Sequence, residues 1–348
     1  MDIILHLGVH RSATTTLQQY LLGNAQAFRQ AGLACWTPSL TRSGLFAGLI
    51  QNPATTTPLI DDRAARSAGR VRLEIERLER AAMCQLPISD ENIIGASRNN
   101  LRDVALYPDL AARLARFLPA LGAAPRRVGL GLRSYDSYWA SVLAFAIRRG
   151  GPAPDDDLLR RLADQPRGWR MVLTEIAAQC PDAEIVVWPF EALADDPAGQ
   201  VDVMTGGIRL GGGGLRRIER HNASPDAGAL RRILELRGQE GGVAAQMPDT
   251  RRWMPFDAAQ RARMRARYLE DLDWLASGAD ARIRFCGTEH DTAGQRRVDH
   301  ARLLDRASEV SGFAAPAPTW TPLNGGRHIG NDRRLARTRR EGASGSLA

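Results

Sequence analysis

The stretch Gly8-Val9-His10-Arg11-Ser12-Ala13 separates a short apolar run, Asp2–Leu7, from a segment opening with Thr14, Thr15 and Thr16. A strand, a tight loop and a helix start make an anion site. The loop and first helical amides point at the ligand, and the helix dipole favours negative charge. Arg11 adds a guanidinium with bidentate reach toward phosphate or sulfate. The threonine hydroxyls serve either as caps for free amides or as donors to an oxyanion. A plain strand-to-helix turn with threonine caps has the same composition. The triphosphate loop reads G-x-x-x-x-G-K-[ST]. Counted from Gly8, Ala13 stands at the second glycine and Thr14 at the lysine. The cation sits three residues earlier, at Arg11, so the pattern fails for a magnesium-dependent NTPase.

A second cation lies in GLGLRSYDSYWASVLAF, residues 129–145. Arg133 follows an apolar run that reads as a strand, and open α/β sheets bind ligands at strand carboxyl ends. Ser141 falls about one turn into the next helix. Helical side chains lean toward the N-terminus, so its hydroxyl can point back at the crevice. The alternative is that Arg133 pairs with Asp136 and that Ser141 is an ordinary helix-face residue.

HLGVHRSATTTLQ resembles the 5′-phosphosulfate loop of the sulfotransferases that use 3′-phosphoadenosine 5′-phosphosulfate (PAPS). In that family Lys or Arg followed by x-G-T-T cradles the 5′-phosphate and the transferable sulfuryl group. The resemblance implies that Arg11, Ser12, Ala13, Thr14, Thr15 and Thr16 contact PAPS. Ala13 replaces the usual Gly and Arg11 the commoner Lys. The Arg133-x7-Ser141 spacing is similar to the family's 3′-phosphate motif, with Tyr135 where Pro is usual. LPISDEN, residues 86–92, resembles the Ser-x-Glu element of bacterial members. It implies Glu91 as general base, with Asp90 second. His10 is third, or touches the sulfuryl group. A cap or surface carboxylate is the other reading of Glu91.

The implied fold is a three-layer α/β/α domain with a central parallel sheet, P-loop nucleoside-triphosphate-hydrolase-like, with helical C-terminal additions. The implied reaction needs PAPS, no metal, and a hydroxyl or amine acceptor on a carbohydrate or small molecule. Alternatives are a catalytically inactive sulfotransferase-like nucleotide-binding protein and a P-loop nucleotide kinase. Weaker resemblances are VVWPFEAL, where Glu191 reads as structural, and Arg220–Ser224, before a C-terminal helix. Trp36 reads as core or as pocket wall.

The elements that must position these residues alternate as in βαβ units. Strands are expected at Asp2–Leu7, Leu33–Trp36, Arg127–Leu132 and Ala183–Trp188, the last clear one, while Leu86–Ser89 and Ile93–Gly95 flank the polar cluster Asp90-Glu91-Asn92. Helices are expected from about Thr15, and over Ala64–Met83, Leu110–Leu118, Ser137–Arg149, Trp169–Gln179, Ala227–Arg237 and Asp257–Ser277. Thr37–Arg63 reads as a surface loop, and Pro152–Asp157 as a polar linker. The expected division is a sulfotransferase-like domain over 1–286 and a polar, Arg-rich extension over 287–348, largely disordered after Arg327.

The chain has 348 residues, 44% of them hydrophobic, as in an ordinary globular protein. No run is long and apolar enough to span a membrane, and the N-terminus reads as lacking a signal peptide. Cys35, Cys84, Cys180 and Cys286 have no zinc-like spacing, which points to reduced thiols in a cytoplasmic protein. All 47 basic residues are arginine. Between Arg327 and Glu341, six arginines against Asp332 and Glu341 leave +4, half of the net +8. RNA binding through that tail lacks an aromatic platform, so no nucleic-acid partner is expected.

Overall fold

The computed structural model describes residues 1–207, 216, 226–239, 247, 253–287, 289–290, 296–297 and 299–303. The strands are β1 (Asp2–His6), β2 (Gln85–Ser89), β3 (Arg127–Leu132), β4 (Glu184–Pro189) and β5 (Ile283–Phe285). They form one sheet in the order β2-β1-β3-β4-β5, parallel throughout. Leu33 and Trp36 extend its β2 edge through parallel bridges to Gln85 and Ile88 rather than as a full strand.

Among the described residues, the α-helices longer than one turn are α1 (Thr14–Gly23), α2 (Ala25–Gln30), α3 (Pro58–Arg80), α4 (Ser97–Asp103), α5 (Leu110–Phe117), α6 (Tyr135–Arg148), α7 (Asp156–Asp164), α8 (Trp169–Gln179), α9 (Pro197–Thr205), α10 (Ala227–Glu235) and α11 (Ala258–Ala276). Strand side chains alternate between two cores. Ile4 and Val186 pack with Leu17, Tyr20, Phe28, Val201 and Met204 of α1, α2 and α9. Ile3, Leu5, Val128 and Ile185 pack with Val71, Leu114, Val142 and Val172 of α3, α5, α6 and α8. The sheet is therefore covered on both faces, as parallel sheets require. This is a three-layer α/β/α arrangement.

Several expectations need correction. Thr37–Arg63 is not a surface loop. Its Phe46 is buried, edge-on to Trp36 at 6.2 Å and to Phe117 at 5.0 Å between ring centres. Trp36 is thus a core residue. Helix α3 starts at Pro58, six residues early, because Pro fits the first turn and the Thr57 hydroxyl accepts from the Ile60 amide. The three aspartates after Pro154 open α7, with Asp155 accepting from the Leu158 amide. β5 escaped the reading because three residues carry little pattern.

Past β5, Glu289–His290 and Arg296–Arg297 pair antiparallel. Gly211–Gly214, Arg220–Ser224 and the tail after Arg327 lie outside the described residues. No helix among the described residues is long and apolar enough to cross a membrane, and the four cysteines carry free thiols.

Gly131 of β3 sits beside Trp188 of β4. A methyl there would lie 2.7 Å from the indole Nε1. Gly131→Ala is expected to lower stability by about 1–3 kcal/mol, read as an earlier midpoint in urea unfolding. An unchanged midpoint would mean that Trp188 has room to move.

Candidate anion and proton-transfer site

Strand order reverses direction at β1, whose neighbours are β2 and β3. The crevice at the carboxyl ends of β1 and β3 is where such sheets bind ligands. Residues 7–13 fill it, and three of their backbones are left-handed: Gly8 (φ 48°), Arg11 (φ 67°) and Ala13 (φ 58°). A side chain at Gly8 would meet Thr14 Cγ2 at 2.6 Å. For Arg11 and Ala13 this backbone costs roughly 1–2 kcal/mol each. Part of the cost at Ala13 is offset by its methyl, which packs against Phe190 and Ala194. Helix α1 has no side-chain cap. Among the described residues, no protein acceptor faces the amides of Ala13, Thr14 or Thr15. Those donors, with the exposed end of the helix dipole, are what an oxyanion needs.

The two cationic motifs, distant in sequence, meet here. Arg11 Nε donates to Ser141 Oγ at 2.9 Å. Arg133 Nη1 donates to the Arg11 carbonyl, and Arg133 Nε donates to Ser137 Oγ at 2.9 Å. The Arg133 guanidinium lies 4.7 Å over the Phe190 ring and that of Arg11 5.2 Å over Phe145. Burial, then the nearby Arg148, pulls Arg11 down to about 10, which leaves it charged at neutral pH. Asp136 is not held for Arg133. Its carboxylate accepts from Ser134 Oγ and from Arg265 Nε at 2.7 Å. Glu191 is structural, as expected: it is buried and accepts from the Ser134 amide and the Tyr268 hydroxyl.

The carboxylates at the end of β2 differ in their commitments. Asp90 is fully buried and accepts from Thr41 Oγ1, Arg42 and the Asn92 amide. Glu91 accepts from Arg42 Nη2 and Gln18 Nε2, each at 2.9 Å. Burial pushes the Glu91 carboxyl up. The fields of His10 and Arg42 and the hydrogen bonds from Arg42 and Gln18 outweigh it and hold Glu91 at about 2. His10 is lowered, chiefly by burial. Its Nε2 faces Asn92 Oδ1 at 3.2 Å and its Nδ1 faces Tyr107 Oη at 3.1 Å. A neutral ring with its proton on Nε2 fits both contacts. His6 beneath it contacts Ser89 Oγ through Nδ1 at 2.8 Å and stacks on Trp188.

The structure thus gathers Arg11, Ser12, Ala13, Thr14, Thr15, Thr16, Arg133 and Ser141 around one crevice, with His10, Asp90 and Glu91 beside it. Sequence reasoning missed Ser137, Phe145, Phe190, Gln18 and Arg42. Phe145 stands four residues after Ser141 on one helix, a spacing that would have flagged it. Arg42 had no such signal. Comparison with protein-family models, with curated proteins and with solved structures finds no match to this chain.

Burial lowers His6 to about 4 from an ordinary 6.5, with Glu91 opposing. The unfolded chain therefore binds this proton first. The His6 contribution is complete above about pH 6.5 and is lost as pH falls toward 4, by about 3 kcal/mol. Glu91, also lowered, extends the loss between about 4.5 and 2. His6→Gln is expected to flatten stability between pH 6.5 and 4, measured by urea unfolding across pH. An unaltered slope would place the acid sensitivity elsewhere.

Proposed function

We propose that the chain is a PAPS-dependent sulfotransferase that moves a sulfuryl group to a hydroxyl or amine of a carbohydrate or small molecule. A P-loop nucleoside-triphosphate-hydrolase-like identity of the fold is part of this reading. The observation that carries it is the contact of Arg11 with Ser141, which joins a 5′-type and a 3′-type anion motif at the carboxyl ends of neighbouring strands. Two anion sites meeting in one crevice suit a nucleotide with a phosphate on each side of its ribose. A triphosphate needs only one.

The residues fit that co-substrate. The amides of Ala13, Thr14 and Thr15 and the Arg11 guanidinium supply donors for the 5′ end, and Arg133 and Ser141 for the 3′-phosphate. As the acceptor atom bonds to sulfur, the bond from sulfur to the bridging phosphate oxygen breaks, and that oxygen keeps the electron pair. Arg11 and the loop amides stabilise the growing charge where they already point. The acceptor proton passes to a base. Glu91 is ionised for this, but a carboxylate near 2 is a weak acceptor of protons. Its Arg42 partner is 37% exposed, and swinging Arg42 aside would raise Glu91's basicity. The engagement of both Glu91 oxygens also favours the second reading, a nucleotide-binding protein without turnover.

Thermal shift with 3′,5′-ADP against Mg-ATP tests the co-substrate. Stabilisation by 3′,5′-ADP alone is expected, about 2.7 kcal/mol at 100 times its Kd, and Arg133→Ala or Ser141→Ala is expected to reduce it. Stabilisation by Mg-ATP alone would instead mark a kinase. Glu91→Gln is expected to abolish sulfate transfer in assays with carbohydrate and phenol acceptors while leaving 3′,5′-ADP affinity within about twofold. Unchanged transfer would remove Glu91 from the chemistry and leave Asp90 and His10 as the candidate bases. Binding without transfer by the unaltered chain would favour the second reading.

A further inference from the structure

Helices α4 and α6 enclose a cleft of about 560 Å³. Leu101, Val142, Phe145 and Ala146 make an apolar floor, and Arg98 and Arg149 stand at the rim. A third rim residue, Arg102, is neutralised by Asp103 through two hydrogen bonds of 2.7 Å. Arg98 and Arg149 are exposed, and among the described residues no carboxylate pairs with either, or with Arg148. Phe145 is crowded by cations instead. The guanidinium carbons of Arg11, Arg148 and Arg149 lie 5.2, 5.5 and 5.2 Å from its ring centre. The ring face attracts each of them, but the like charges repel one another. The repulsion registers at Arg148, lowered first by burial and then by Arg149. An anion entering the cleft relieves it.

We propose that this cleft seats an acceptor combining an apolar body with a carboxylate, phosphate or sulfate group, the body on the Phe145 floor and the anion against Arg98 and Arg149. The position suits an acceptor because Arg11 links the floor to the crevice, contacting Phe145 with its face and Ser141 with its Nε. On this reading that anion lies apart from the 3′-phosphate: Ser141, assigned to the 3′-phosphate, and Arg149 are eight residues apart along α6 and its cap, roughly 12 Å at 1.5 Å per residue. The acceptor role rests on the sulfotransferase reading, whereas the anion selectivity of the cleft does not.

The test is a fluorescence titration of the full chain with 1-anilinonaphthalene-8-sulfonate and with its neutral relative N-phenyl-1-naphthylamine. The anionic dye is expected to bind at least tenfold more tightly. Arg98→Gln with Arg149→Gln is expected to weaken it about tenfold, with the neutral dye and 3′,5′-ADP affected less than twofold. Ala146→Trp, which fills the floor, is expected to exclude both dyes. Equal affinity for the two dyes, or anionic-dye binding indifferent to the arginines, would overturn the proposal. A parallel tenfold loss of 3′,5′-ADP affinity would also overturn it, by giving the cleft to the nucleotide. If arginine-dependent dye binding persists in a chain that binds no 3′,5′-ADP, the sulfotransferase reading and the acceptor role fail, and the anion cleft stands.

Discussion

The hydrogen bonds between Arg133, the Arg11 carbonyl and Ser141 hold two loops in one geometry, and much of the molecule is arranged around keeping them there. Arg133 donates to the backbone of the first loop, while Arg11, from that loop, donates to the helix that follows Arg133. Each cation is thus oriented by the other's segment. The Arg133 carbonyl is fixed in turn by Trp169 Nε1 at 2.9 Å. Helix α11 supports the same turn from far along the chain. Its Tyr268 donates to Glu191, which receives the Ser134 amide. Its Asp271 accepts from Tyr135, and its Arg265 pairs with Asp136. Helix α11 is therefore part of what positions the Arg133 cation.

Charge balance divides the crevice into two halves. On the β2 side, Asp90 and Glu91 share Arg42, so negative charge is neutralised locally, and burial lowers the two histidines beside them. On the α6 side stand Arg11, Arg133 and Arg148; of the carboxylates there, Asp136 pairs with Arg265 and Glu191 is raised, chiefly by burial. A ligand with negative charge on one flank and a proton to lose on the other matches this asymmetry. The same asymmetry runs outward from Arg11 to the Phe145 cluster.

The parts of this architecture that were legible in the sequence are those with a local rule behind them. Arg127–Leu132 and Trp169–Gln179 match their helix and strand patterns residue for residue, because apolar periodicity determines burial over those lengths. The strand–loop–helix arrangement around Gly8–Ala13 was legible because an apolar run, a tight loop and a threonine-opened helix make a local pattern. Arg42 was not legible. It lies in a segment whose Thr, Pro, Gly and Ser content signals a loop, yet Phe46 and Leu49 anchor that segment in the core and deliver Arg42 to Asp90. Composition reports turn-forming tendency, and tertiary burial decided the outcome. β5 was hidden for the opposite reason, since three residues are held by pairing with β4 rather than by their own pattern.

Ala13 connects these themes. In the resembled motif a glycine occupies this position, and the left-handed backbone found here explains the preference, since glycine adopts it without strain. Alanine at this φ is strained, but its methyl packs against Phe190 and Ala194, and the Phe190 ring carries the Arg133 guanidinium. A glycine would relax the loop while leaving Phe190, which the Arg133 guanidinium stacks on, less supported. The alanine is thus compatible with the observed loop geometry, because the strain it introduces in the first loop is set against packing beside the second.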